Sequence, residues 1–504
     1  MEEKKLPVVI VTGASGVVGS HFIDSVRDRF KIYAVARRSM AASGMEVHPN
    51  VKWLRADIGS ASSLEKAFSR VERADYVFHF AAYYDFDNIY KNEYKKTNID
   101  GTENLLKMSC RLGIRRFIYA SSLTVTDFRK SVVLNENSPC DAIFPYAKSK
   151  KAGELLVRAY SDKFPCTIAR LGAIYSDFCE YGPLYVFLKV WLSGRPDSSF
   201  LAGRGRTAVP YLHVDDFADL CIKITEKTDE LPAFHTVLAS SDGCTSHRDL
   251  FRIATKYYYG TPKRPVFIPV KLAAVGVAFR QVYGKLRSRH PFERFWMLRY
   301  VDSLMKADSA ETQKLLNWSP KPRLDIRRRL LFLIENMKSK PFEWGRKNQE
   351  ALDKRYEDRP GYKIYEAMER GREDIILEKL RLLHERGSDF PNYLLRSDEE
   401  LYAQIGFTYS MIESCVLYGD RRHILIYAGS VGVERFNQGY PLSEIICSMR
   451  VTAEIMVQHL KKDPLCAGLK QRIYDEVMVT AQMIMDEIED VYYKKSGRKT
   501  GCFC

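Results

Sequence analysis

A doubly wound α/β unit with a parallel sheet, a smaller lobe attached to it and an all-α bundle behind is the architecture predicted by this 504-residue chain. Three observations predict it. Apolar, β-branched runs alternate with helical patterns along the first part of the chain, the order of a parallel sheet with crossover helices. The first run, Val8-Val9-Ile10-Val11, empties into a glycine-rich turn and then a helical pattern from Gly19 to Arg29. After Pro341 strand-like alternation stops, and apolar residues recur at helical spacing.

The elements follow in order. Lys31 to Ala36, Val51 to Arg55, Tyr76 to Phe80, Phe117 to Ala120 and Cys166 to Leu171 read as further strands, with helices starting near Ser62, Glu93 and Tyr146. We assign residues 1–335 to one catalytic-type unit, with the sheet in about 1–170 and the lobe mainly in 175–335. Residues 336–362 are dense in charge, break at Pro360-Gly361 and read as a linker. Residues 363–495 read as a bundle of four or five helices. Ile376, Leu380 and Leu383, and later Ile473, Val477, Ile484, Ile488 and Val491, keep helical spacing, while Gly439 and Pro441 mark a stop and restart. Residues 496–504 read as a flexible tail.

Composition narrows the class. Hydrophobic residues make up 46% of the chain, ordinary for a globular protein. No uncharged apolar stretch reaches the ~18 residues of a membrane span, and Met1 to Lys5 carries no apolar leader core, so we expect a soluble, cytoplasmic protein. Eleven scattered cysteines without a Cys-x-x-Cys pair fit reduced thiols, and Cys502 and Cys504 read as part of the solvated tail. No metal site is expected: His384, His423 and His459 stand isolated on helices. The net charge of +15 is spread without a nucleic-acid module, so nucleic acid is not expected as a partner. The stretch Val266 to Phe279, apolar apart from Lys271 and followed by Arg280, Lys285, Arg287 and Arg289, suits a core helix, a pocket cap or a peripheral membrane contact.

The turn after the first strand reads Thr12-Gly13-Ala14-Ser15-Gly16-Val17-Val18-Gly19. Gly13 suits the tight turn, Gly16 the approach of a pyrophosphate, and Gly19 close packing of helix on strand. The phosphates then meet the unpaired N–H groups at the helix start, which makes Ser15, Val17 and Val18 cofactor contacts as well. At the end of the second strand, where an acid would hold a ribose 2′-hydroxyl, the chain has Arg37-Arg38. Two guanidiniums suit a 2′-phosphate, so NADP is favoured over NAD.

Tyr146 and Lys150 lie four residues apart, on one face of a helix. A nearby ammonium favours the phenolate and turns the tyrosine into a usable acid/base. Arg116 to Ser122 reads as a buried strand ending in hydroxyls, which sets Ser122 at the C-terminal sheet edge, where ligands gather in such folds.

These segments, with His79-Phe80-Ala81-Ala82, Thr97-Asn98-Ile99-Asp100-Gly101-Thr102 and His213-Val214-Asp215-Asp216, resemble the extended short-chain dehydrogenase/reductases, the NAD-dependent epimerase/dehydratase family. That family includes sugar-nucleotide epimerases and hydroxysteroid-dehydrogenase-like enzymes. The resemblance runs over about residues 6 to 335, closing on Leu315-Leu316-Asn317-Trp318-Ser319-Pro320, similar to a terminal Leu-Gly-Trp-x-Pro signature with Asn for Gly. It implies a Rossmann-type sheet, Tyr146 as acid/base, Lys150 on the cofactor ribose and Ser122 on the substrate oxygen. It also implies Asp57 and Ile58 along the adenine, and Phe80, Ala81 and Ala82 beside the nicotinamide-side ribose. Asn98 is expected to bond backbone near the site, and Asp215 and Asp216 to anchor the lobe.

Leu123-Thr124 replaces the Asp-Glu pair that 4,6-dehydratases of this family carry after the hydroxyl, which argues against water elimination. Tyr83, Tyr84, Asp85, Ser176, Glu180 and Tyr181 are the candidate substrate contacts. Tyr427-Ala428-Gly429, Val433 to Phe436 and Gly439 to Glu444 resemble the helical N-terminal domain of bacterial RsbT co-antagonist (RsbRD-like) proteins, which implies regulation and pairing into a homodimer. The expectation is a cytoplasmic NADP- or NAD-dependent oxidoreductase acting on a hydroxyl or carbonyl carbon of a small molecule. An epimerase with retained NAD, and a cofactor-binding sensor without turnover, are the alternatives.

Overall fold

The computed structural model describes residues 6–129, 131–286, 292–352, 359–419 and 421–496. Arg287, Arg289, Cys502 and Cys504, and residues 353–358 of the expected linker, lie outside the described residues. The chain divides into two units, Met1–Lys354 and Arg355–Cys504.

Seven strands form one parallel sheet: β1 (Val8–Thr12), β2 (Lys31–Ala36), β3 (Val51–Arg55), β4 (Tyr76–His79), β5 (Arg116–Ser122), β6 (Cys166–Leu171) and β7 (Phe234–Ala239). Their order across the sheet is β7-β6-β5-β4-β1-β2-β3, so the winding reverses between β1 and β4. A ligand site is expected beyond the strand ends at such a reversal. Both faces are covered, and the alternation along β1 divides its side chains between them. Val9 and Val11 pack with Phe22, Ile23 and Val26 of α1 (Val17–Val26), whereas Ile10 packs with Leu64 of α2 (Ala61–Phe68), Leu105 and Leu106 of α3 (Gly101–Leu112) and Val157 of α4 (Pro145–Ala159). Each large apolar side chain so buried contributes about 1.5 to 3 kcal/mol.

The structure revises the lobe boundary. β7 pairs along β6 from Phe234 opposite Cys166 to Ala239 opposite Leu171, so the span 175–335 returns a strand to the sheet. α6 (Val214–Glu226), which precedes β7, also packs on the sheet, burying Phe217, Leu220 and Cys221 with α1. Asn317 ends α9 (Ala310–Leu316) in the left-handed region at φ 47°, where Asn is the usual stand-in for Gly, and Leu316 and Trp318 then enter the sheet core.

The lobe proper packs α5 (Gly182–Trp191), α7 (His247–Tyr259) and α10 (Ile326–Ser339) around Leu188, Trp191, Phe251, Leu330 and Leu333. α8 (Val270–Leu286) lies between α7 and α9 in the chain. The expected linker is corrected. α10 fills it to Ser339, and α11 (Pro341–Leu352) buries Trp344 in the lobe core and Asn348 completely.

Among its described residues the second unit holds five α-helices: α12 (Pro360–Glu385), α13 (Asp398–Tyr418), α14 (Arg422–Asn437), α15 (Leu442–Lys462) and α16 (Lys470–Ser496). Ser397 and Glu400 close a capping box at the start of α13, and Gly439 at φ 78° followed by Pro441 turns the chain between α14 and α15. Ile473, Val477, Ile484 and Ile488 are fully buried along α16, which packs against α13, α14 and α15. Charged side chains are buried here as well, Lys379 of α12 most completely at 1% exposed.

Candidate active site at the sheet switch point

The glycine turn is built by close approach. Gly13 sits at φ 71°, and a Cβ there would come within 2.7 Å of the Ala81 nitrogen. A Cβ on Gly19 would lie 2.2 Å from the Gly13 carbonyl oxygen, so only glycine lets α1 start this near the turn. Gly16 caps α1 with extended backbone and no side-chain bond to the helix start, so no capping side chain occupies the first-turn N–H groups. This cradle fits a pyrophosphate. Ser15, Val17 and Val18 surround it, and the Arg38 guanidinium reaches back to donate to the Ser15 carbonyl at 2.6 Å. Arg37 is exposed at the end of β2, beside Arg55, whose Nε donates to the Arg37 carbonyl at 2.9 Å.

A relay of hydrogen bonds locks the floor. The Ala81 N–H donates to Thr12 Oγ1 at 3.3 Å, and Thr12 Oγ1 lies 2.7 Å from His79 Nδ1. His79 Nε2 lies 2.9 Å from Thr102 Oγ1, and the Thr102 hydroxyl donates to the Asn98 carbonyl at 2.8 Å. Because the Thr102 proton is committed, His79 carries its proton on Nε2 and accepts from Thr12 at Nδ1. Burial, with Lys150 nearby, holds the His79 pKa down to about 3, so the ring is neutral and structural. Asn98 bonds both the N–H and the carbonyl of Tyr83 and takes Ser149 on α4 as a third partner.

β5 ends on two serines that face opposite ways. Ser121 donates to Glu154, which also pairs with the buried Arg170. Ser122 turns to the site, 2.8 Å from Thr124 Oγ1 and beside the Tyr146 phenol. Burial raises the Tyr146 pKa, and the nearby Ser122 hydroxyl pulls the other way. Here the expectation that Lys150 depresses the tyrosine is corrected. Lys150 Nζ donates to the Ala120 carbonyl at 2.6 Å and lies over the Tyr119 ring, while burial pushes its own pKa down to about 7.

The substrate candidates separate. Tyr84 packs against Tyr146 with ring centroids 4.7 Å apart, and Tyr181 lies near enough to both to raise the Tyr84 pKa. The other four turn inward, a correction to their expected role. Asp85 accepts from Tyr83, Tyr94 and Lys91, so its lone pairs and the Tyr83 hydroxyl are used inside the protein. Glu180 accepts from Ser176 and pairs with His21 of α1 at 2.8 Å, and its N–H donates to Asn348.

Of the implied cofactor contacts, Asp57 is salt-bridged to Lys96 at 2.6 Å, which outweighs burial and lowers its pKa. Ile58 and Phe80 pack into the sheet's cores, Ala81 is half-buried and Ala82 is exposed. Asp216 accepts from the Lys321 N–H, in keeping with an anchor. Sequence reasoning missed Phe144, Phe292 and Trp296, which continue the aromatic lining outward: Phe86 packs on Tyr84 and Phe292, and Trp296 donates to the Phe86 carbonyl and stacks on Phe144. It also missed Asn348, for which the sequence carries no signal, since its partner Glu180 is 168 residues away.

A parallel sheet with a glycine turn at its switch point, and a Ser-Tyr-Lys set beyond the next strand, define a dinucleotide-binding fold. Residues 9–239 match the model of the NAD dependent epimerase/dehydratase family. Over 179 residues the chain is 31% identical to dTDP-D-glucose 4,6-dehydratase of Mus musculus, covering 33% of this chain and 50% of that protein. The Homo sapiens protein of that name is 30% identical over 231 residues, 44% of this chain and 65% of the relative. UDP-glucose 4-epimerase of Azospirillum brasilense is 33% identical over 155 residues, 30% and 44% of the two chains. The chain thus spans about half to two thirds of these curated relatives. Among solved structures, Thermotoga maritima UDP-glucose 4-epimerase with UDP-glucose superposes with a TM-score of 0.51 at 21% identity, covering 66% of this chain and 99% of that one. Bordetella bronchiseptica WbmG in complex with NAD gives 0.53 at 18%, covering 67% and 96%. These likenesses establish the fold.

Proposed function

We propose that the N-terminal unit is an NAD(P)-dependent oxidoreductase that interconverts a hydroxyl and a carbonyl on a small substrate. The observation that carries this reading is the placing of Ser122, at the C-terminal end of β5, beside the buried Tyr146 phenol, with β4 between them and the glycine cradle on β1. Gly13, Gly16 and Gly19 would hold the pyrophosphate, and Lys150 the nicotinamide-side ribose. The nicotinamide, when bound, accepts or returns the hydride. Ser122 orients the substrate oxygen. Tyr146 gives that oxygen a proton in reduction and takes one in oxidation.

Arg37, Arg38 and Arg55 around the end of β2 support NADP. The likeness to UDP-glucose 4-epimerases supports a second reading, an epimerase that keeps NAD through its cycle. A 4,6-dehydratase has less support, because buried Leu123 and the Ser122-bonded Thr124 stand where elimination would need carboxylates. We read the helical unit as a regulatory or dimerising module of RsbRD-like type in a cytoplasmic bacterial enzyme.

Calorimetric titration with NADPH and NADH, after assay for nucleotide carried through purification, tests the cofactor assignment. Tight NADPH and weak NADH are expected, with the preference lost in Arg37→Ala/Arg38→Ala. Retained NAD would overturn NADP and move the epimerase reading to first place.

A further inference from the structure

α8 is a helix in the wrong surroundings. Its described side chains run Val270, Lys271, Leu272 and on to Val282 with no acid among them, yet only Ala273 and Val277 are buried. A helix this apolar is normally enclosed. Here Leu272 is 61% exposed, Val275 65%, Phe279 72% and Val282 60%, one ridge at helical spacing. The adjoining strand Val266–Ile268 adds Val266 and Phe267, and its pairing partner Phe200–Ala202 adds exposed Phe200. Such a contiguous apolar face marks an interaction surface.

Charge identifies the occupant. Between Leu250 and Val282 the sequence has six Lys and Arg and no Asp or Glu, and of these Arg280 is paired with Asp197 and Glu293. Arg264 and Lys271 are exposed beside the ridge. A second copy meeting this face across a two-fold axis would set the cations against themselves, because such an interface uses the same patch twice. An anionic bilayer accepts both features, apolar side chains among the acyl chains and cations at the headgroups. At 17 residues α8 is about 25 Å long, shorter than a hydrocarbon core, so it would lie in the interface rather than cross it.

The face also connects to the site. Arg280 of α8 pairs with Glu293, the next residue Arg294 pairs with Asp87, and Trp296 bonds the Phe86 carbonyl. Phe86, Tyr84 and Tyr146 then follow in ring contact. We propose that α8 and the strand Val266–Ile268 seat this protein on an anionic lipid surface, with the aromatic file to Tyr146 opening beside that contact. The docking does not depend on which reaction the site performs.

The test is co-sedimentation of the full chain with extruded vesicles, pure phosphatidylcholine against one part phosphatidylglycerol to two parts phosphatidylcholine. We expect at least about tenfold stronger partitioning onto the anionic vesicles. Leu272→Glu/Phe279→Glu, and separately Arg264→Glu/Lys271→Glu, each lower it by about tenfold or more with an unchanged melting temperature. If one pair unfolds the protein, the other carries the test. The proposal is overturned if anionic vesicles bind no more protein than neutral ones, or if both variants sediment like the parent. It is also overturned if the ridge variant converts a lipid-free oligomer to monomer, which would make a second copy the occupant.

Discussion

Tyr146 sits in a pocket that holds its proton tightly. Burial raises its pKa, and among the described residues the Ser122 hydroxyl favours the ionised form. Reduction needs the phenol and oxidation the phenolate, so the two directions separate with pH. Between about pH 6 and 9 the reductive rate is expected to stay level while the oxidative rate climbs. A flat oxidative profile measured with saturating cofactor would remove Tyr146 from the proton step. Tyr146→Phe lowers turnover by about 10² to 10⁴-fold in both directions and leaves cofactor affinity unchanged, because no bond of the phenol holds the glycine turn. His79 belongs to the other kind of residue. Neutral and doubly bonded between Thr12 and Thr102, it fixes where β4 ends and does no proton transfer.

At the scale of elements, the glycine turn and the helix bearing Tyr146 and Lys150 were legible in the sequence because their chemistry is local: backbone approach fixes one and four-residue spacing the other. β7 was not. Its six residues follow a long excursion through the lobe and mix His235 and Thr236 with apolar neighbours, so only the pairing with β6 makes them a strand. The helices of the second unit were read from periodicity, which is blind to a cation on the buried face. Lys379 is such a case, with its ammonium donating to the Ser448 carbonyl and its pKa pushed down to about 7 by burial. The unfolded chain keeps that proton up to its ordinary value near 10.5. The folded state therefore carries a penalty in full below pH 7, relieved as pH rises from about 7 to 10.5. Lys379→Met should raise the stability of this unit on the order of 2 kcal/mol at neutral pH, with the gain shrinking toward pH 10. Denaturant melts at both values check it. A gain that grew with pH would contradict the burial of a charged amine.

For the whole molecule, the consequence lies in α11. Asn348 accepts from the Glu180 N–H and donates to the Phe178 carbonyl, and Cys179 and Glu180 between them stand at φ 73° and 50°, a conformation side chains rarely adopt. That loop delivers Tyr181 to the site and joins α1 through the Glu180–His21 pair. A chain ended at residue 335, where the family resemblance stops, should lose Trp344 from the lobe core and leave two buried backbone groups unpaired, each costing about 1 to 3 kcal/mol. Its cofactor affinity and melting temperature should fall together, while a chain ended at Leu352 keeps both; equal behaviour of the two would refute the clamp. The boundary between the N-terminal unit and the helical unit is therefore drawn after α11 rather than before it. A graft of this helical unit onto another protein should therefore be cut beyond Leu352, because α11 completes the fold of the first unit and not of the module that follows it.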